Sequence, residues 1–115
     1  MSGSVSEMPE RERPLSEQFR VVAKAWADAD AAANLLEETK SATLSQKMLA
    51  LGDMPVSRAE MTVKASDEWH EYLETMVAAR KEANIRKVQM EYIRMKFSEW
   101  QSLNANARDE RRMSR

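Results

Sequence analysis

Two apolar ladders in this chain mirror each other about residue 56. The first runs Leu15, Phe19, Val22, Trp26, Ala29, Ala33 and Leu36; the second runs Tyr72, Met76, Ala79, Ala83, Arg86, Met90, Ile93, Phe97 and Trp100. Both alternate steps of four and three, the spacing of a helix seam packed against another helix. Folding the chain at Val56 sets Ala29 against Ala83, Ala33 against Ala79 and Leu15 against Phe97. Alanines then face each other in the middle, where they permit close approach, and bulky residues face each other farther out. Only Arg86 breaks the second ladder. It falls opposite Trp26, where a guanidinium over the indole would lock the register. The expected fold is therefore all-α, a long antiparallel, coiled-coil-like helical hairpin.

The composition agrees. Two glycines and three prolines interrupt 115 residues rich in Ala, Met, Glu, Lys and Arg, which favours long helices and disfavours a sheet. The absence of cysteine excludes disulfides, thiolate metal sites and thiol catalysis. No run reaches the ~18 apolar residues of a membrane helix, and no signal-peptide pattern opens the chain, so no membrane partner and a cytoplasmic location are expected. A single hairpin has one seam and little core for its length, a shortage that self-association ordinarily remedies.

Punctuation divides the chain into three parts. Residues 1–14 carry little apolar content and read as a disordered tail. Residues 15–108 form the hairpin, with its turn near 52–57, and residues 109–115 form a basic C-terminal tail. Ser16 suits the N-cap of a first helix running to about Ala50. Past Leu36 the stripe steps through Lys40, Leu44, Met48 and Leu51, so the seam drifts and must meet a different partner. Gly52-Asp53-Met54-Pro55 is a helix stop. Ser57-Arg58-Ala59-Glu60 has the pattern of a capping box opening a short helix over 57–64, and Ser66-Asp67-Glu68 opens the long second helix.

The second helix has another apolar stripe, Ile85, Val88, Tyr92 and Met95, joined by Leu103, on the side away from Met90, Ile93 and Phe97. One hairpin covers only one of these faces. The first helix echoes it with Val21, Ala25, Ala32 and Leu35. Because Leu15 meets Phe97, Trp100 and Leu103 overhang the end of the hairpin. Ile85, Val88, Tyr92, Met95, Trp100 and Leu103 are thus the expected partner or oligomer interface, and a dimer or larger helical bundle is expected.

Chemistry is sparse. His70 is the one histidine, and with Asp67 and Glu74 it has the spacing of half a carboxylate-bundle metal site. That face points away from the seam, where a solvated histidine suffices, and neither metal nor cofactor is expected. Glu68, Glu71 and Glu74 lie where nothing raises their pKa for acid catalysis. No nucleophile elbow or phosphate-binding glycine loop is present, so no catalytic residue is assigned and an enzyme is not expected. Charge is lopsided: fourteen acids oppose eight bases in residues 1–79, and ten bases oppose five acids in residues 80–115. Arg80, Lys87 and Arg94 repeat every seven residues, and Arg108, Arg111 and Arg112 extend the positive character. Such a stripe can contact nucleic-acid phosphates. The competing reading is that these cations flank the seam and pair with acids of the first helix.

Val63 to Trp69, Ala78 to Asn84, Glu91 to Met95, Glu99 to Ser102 and Ala105 to Arg108 together resemble small helical proteins encoded by tailed bacteriophages and prophages. The resemblance lies in the second helix and its approach. It implies an accessory role among phage replication and recombination genes, in the host cytoplasm, and brings no catalytic motif with it. The expected function is a non-enzymatic adaptor that self-associates and binds a host or phage protein; the alternative is a nucleic-acid-binding oligomer using the basic stripe.

Overall fold

A computed structural model describes residue 9 and residues 13–113. The expected disordered tail, 1–14, lies almost wholly outside the described residues. Every regular element among those described is a helix: α1 (Leu15–Glu38), α2 (Lys40–Ala50), α3 (Val56–Lys64) and α4 (Asp67–Met113). The chain is an all-α hairpin in which α4 runs antiparallel to α1. The described residues divide into two compact units, one of residues 13–26 with 85–113 and one of residues 27–84.

In the first unit, Val22, Met90 and Ile93 form the buried cluster, with Phe19, Ala23 and Trp26 packed against it. Val22 with Met90 is a pair that the mirror about residue 56 specifies. Gln18, buried although polar, donates from Nε2 to the carbonyl of Arg13 at 2.7 Å. This bond ties down the chain just before α1. The helix opens two residues earlier than an N-cap at Ser16 would set it: the carbonyl of Pro14 accepts from the amides of Glu17 and Gln18, both at 3.0 Å. Ser16 therefore lies within the first turn rather than capping it.

In the second unit, Ala33 and Ala83 are fully or almost fully buried, as are Ala59, Val63 and Trp69. Small residues at the middle of both ladders let the backbones approach, as their placement in the sequence required. Trp69 stacks on Tyr72 with ring centroids 5.4 Å apart. The Tyr72 hydroxyl donates to the carbonyl of Leu36 and lies 3.2 Å from Thr39 Oγ1.

The drift of the stripe past Leu36 has a visible consequence. The first helix is not continuous to Ala50 but is broken at Thr39, which separates α1 from α2. Helical backbone bonds persist on both sides, Thr39 N to Leu35 O at 3.0 Å and Thr43 N to Thr39 O at 2.9 Å. The Thr39 hydroxyl also donates back to Leu35 O at 2.7 Å, a competing bond that bends helices. Beyond the break, α2 packs against α3, so the second half of the stripe does find a different partner.

Gly52 takes φ +88°, the left-handed conformation that ends α2 at low cost. The α3 helix opens at Val56 with Pro55 at its N-cap and no side-chain capping bond. The capping box read at Ser57 is thus not formed, and Glu60 instead pairs with Lys64 at 2.7 Å. Proline's fixed φ already sets the entry, leaving Ser57 inside the helix. Ser66 does cap α4: its Oγ accepts from the Trp69 amide at 3.2 Å. The basic tail assigned to 109–115 is helical as far as Met113, so α4 continues past Arg108.

Candidate interaction surface on the long helix

Burial along α4 repeats with the seam: Trp69, Ala83, Met90 and Ile93 are buried, with Tyr72, Met76, Ala79 and Arg86 half-buried between them. Between the seam positions the helix meets water, and in its stretch within the first unit that water-facing side is apolar. Ile85, Val88, Tyr92 and Met95 are 43–64% exposed. At 100° per residue these four lie within one narrow stripe of the helix, while Met90 and Ile93 turn toward α1. Helix propensity does not explain such a row of branched and aromatic side chains in solvent, since Ile, Val and Tyr are only moderate helix formers.

The stripe extends sideways onto α1. Val21 and Ala25 join Val88, Tyr92 and the edge of Ile93 to line a groove of about 620 Å³, with Arg86 and Gln89 supplying its polar part. Arg86 Nη1 donates to Gln89 Oε1 at 3.3 Å, so the one charged member of the second ladder has a neighbour on its own helix. Lys96 lies over the Tyr92 ring, 5.6 Å from its centroid. Toward the end of the hairpin, Leu15, Phe19, Ile93 and Phe97 line a second and smaller groove of about 320 Å³. Leu15 and Phe97 therefore come together as the mirror requires. Phe97 stacks on Trp100 at 5.9 Å. Trp100 and Leu103 remain 53% and 68% exposed, the predicted overhang.

The cations divide between two roles. Arg80, in the second unit, is occupied: its Nη1 meets Asp30 Oδ1 at 2.8 Å, its Nε and Nη2 meet the Glu37 carboxylate at 2.8 and 2.9 Å, and Nη2 reaches Asn34 Oδ1 at 2.6 Å. This fork bridges α4 to three successive turns of α1. The bonds to Glu37 and then Asp30 push the guanidinium pKa still higher, while the same contact holds the Glu37 carboxyl below its ordinary value. Arg80 is a seam cation, as the competing reading of the basic stripe had it. Arg94 lies over the Phe19 ring at 5.7 Å; the acid nearest it in the mirror register, Glu17, instead pairs with Arg20 at 2.6 Å. Lys87, Arg108, Arg111 and Arg112 have exposed side chains on α4.

The histidine face offers less. His70 Nε2 is 3.7 Å from Glu74 Oε1, and both side chains are mostly in solvent. Among the described residues, no group of three or more histidines and carboxylates stands close enough to hold a metal ion. Nor is any described helix long and apolar enough to cross a membrane.

Two residues that matter were not singled out from the sequence. Trp69 continues the seam one step of three before Tyr72, so extending the ladder backward would have found it. Gln18 lies one position before Phe19 and has no apolar signature; its burial follows from the bond to Arg13, which no spacing reveals. No protein-family model, curated protein or solved structure matches this chain.

Proposed function

We propose that this chain is a non-catalytic helical assembly protein whose working form is a self-associated oligomer joined through the stripe and overhang of α4. The observation that carries the reading is the exposure of Ile85, Val88, Tyr92, Met95, Trp100 and Leu103 on one stretch of one helix. More large apolar side chains are exposed than buried among the described residues, and a contiguous apolar surface of this kind marks an interaction site. Together the six expose an area on the order of the ~800 Å² per partner found in standard stable interfaces. The accessory role in phage biology that the sequence resemblance implies belongs to this proposal as its biological setting, and an oligomer of this kind can present its remaining surface to a host or phage protein.

The nucleic-acid reading draws less support. Its stripe of Arg80, Lys87 and Arg94 has lost Arg80 to Asp30 and Glu37, and Arg94 lies against Phe19.

Sedimentation equilibrium of the intact chain tests the proposal. At least twice the 13.2 kDa monomer mass is expected, reverting to the monomer mass in a Val88→Glu/Tyr92→Glu variant that keeps its helical circular dichroism. An intact chain that stays monomeric at high micromolar concentration overturns it.

A further inference from the structure

Within the stripe, size and charge are arranged with a symmetry of their own. Its apolar members are Ile85, Val88, Tyr92 and Met95, all exposed. Heptad arithmetic along the sequence of α4 places Lys81 one turn before Ile85 and Glu99 one turn after Met95, in the same line as the four. The order is thus cation, Ile, Val, Tyr, Met, anion. Reversed and laid on itself about residue 90, the series is complementary at every position. Ile85 meets the partner's Met95, Val88 meets the partner's Tyr92, and Lys81 meets the partner's Glu99.

We infer that the occupant of this stripe is a second copy of the chain, its α4 antiparallel and centred on residue 90, with Lys81–Glu99 pairs closing both ends. This rests on the self-association proposed above and adds its geometry. Antiparallel pairing sets the small Val88 against the large Tyr92 and matches Ile85 with Met95, which is close to it in volume, so the layers fill evenly. It also pairs opposite charges twice. A parallel copy gains pairs between Glu91 and the partner's Lys96 along the rim. It also sets Lys81 against Lys81 and Glu99 against Glu99 within the stripe, which penalises that alignment. The cost of the antiparallel arrangement is a single approach of Glu91 to its own copy near the axis, at the exposed edge where water and salt screen it. The groove beside the stripe, lined by Val21 and Ala25, widens the apolar surface available to the incoming helix.

Disulfide trapping reads the alignment directly, because the chain has no cysteine of its own. Ile85→Cys and Met95→Cys lie at exposed positions, so neither disturbs the seam. Mixed and oxidised, the two variants are expected to form the mixed disulfide, with little self-linkage of either alone. Efficient self-linkage of Ile85→Cys shows a parallel pair. A dimer by sedimentation with no linkage of either kind shows another face in use. Both overturn the inference while leaving self-association standing, whereas a monomer overturns both. Charge reversal gives an independent reading. Lys81→Glu and Glu99→Lys should each weaken the dimer roughly three- to tenfold at low salt, and combining them should restore it. Failure of the double variant to recover overturns the pairing.

Discussion

Arg80 shows how one side chain fixes the register of two long helices. Its fork reaches Asp30, Asn34 and Glu37, which lie on successive turns of α1 and so define one height along the seam. Sliding α1 by seven residues, about two turns, would break up this set of bonds. The ladders alone permit such a slip, since any heptad pattern realigns every seven residues. Arg80→Ala should therefore lower the urea midpoint and make the ends of α1 exchange amide protons faster, whereas Arg80→Lys should recover only part, because an ammonium cannot reproduce the fork. The pH dependence has a defined sign. Arg80 holds the Glu37 carboxyl below its ordinary value of 4.5, so the stabilisation is present above that pH and is lost as pH falls through the lowered folded value. Urea titrations between neutral pH and pH 3 should show a shallower acid loss in Arg80→Ala than in the parent. Equal slopes would mean that the fork is not maintained in solution.

Among the elements, boundaries were readable where a residue's own backbone chemistry decides them and unreadable where tertiary contacts do. Gly52 with its positive φ ends α2, and Ser66 with its capping hydroxyl begins α4. Both follow from local stereochemistry. The break at Thr39 has no glycine or proline to announce it. It arises where the seam leaves α4 for α3 and where the Thr39 hydroxyl bonds back to Leu35, near Tyr72. The stripe's change of step past Leu36 marked the region but not the residue. At Ser57 the local pattern was misleading, because Pro55 had already set the helix entrance. Two substitutions probe the local signals. Ser66→Ala should cost about 1 kcal/mol by removing the acceptor for the Trp69 amide. Gly52→Ala should cost about 1–2 kcal/mol by forcing a Cβ into left-handed backbone; nothing lies within 4 Å of that Cβ, so the penalty is conformational rather than steric. Urea denaturation at neutral pH measures both.

For the molecule as a whole, the mirrored ladders made the hairpin legible, and the residues they left uncovered made the candidate surface legible. Ile85, Val88, Tyr92 and Met95 follow the same heptad rule as the seam, so their exposure could be anticipated from the single partner a hairpin provides. The division of the cations was not legible: Arg80 and Lys87 occupy equivalent heptad positions, and only the acids at 30 and 37 distinguish them. A molecule that buries Val22, Met90 and Ile93 on one side of α4 while leaving the stripe bare gains further burial by associating, and that association is linked to folding by mass action. If the oligomer is a dimer, each tenfold rise in concentration adds about 1.4 kcal/mol per dimer to its stability. Spread over the unfolding entropy of two chains of this size, that amounts to a rise in Tm of about 3 °C per decade. Calorimetry from ~5 to ~500 µM should show this shift in the parent chain, and Val88→Glu/Tyr92→Glu should abolish it while leaving a transition at the lower temperature of the isolated hairpin. A concentration-independent Tm in the parent would place the stripe in solvent throughout, with folding complete inside one chain.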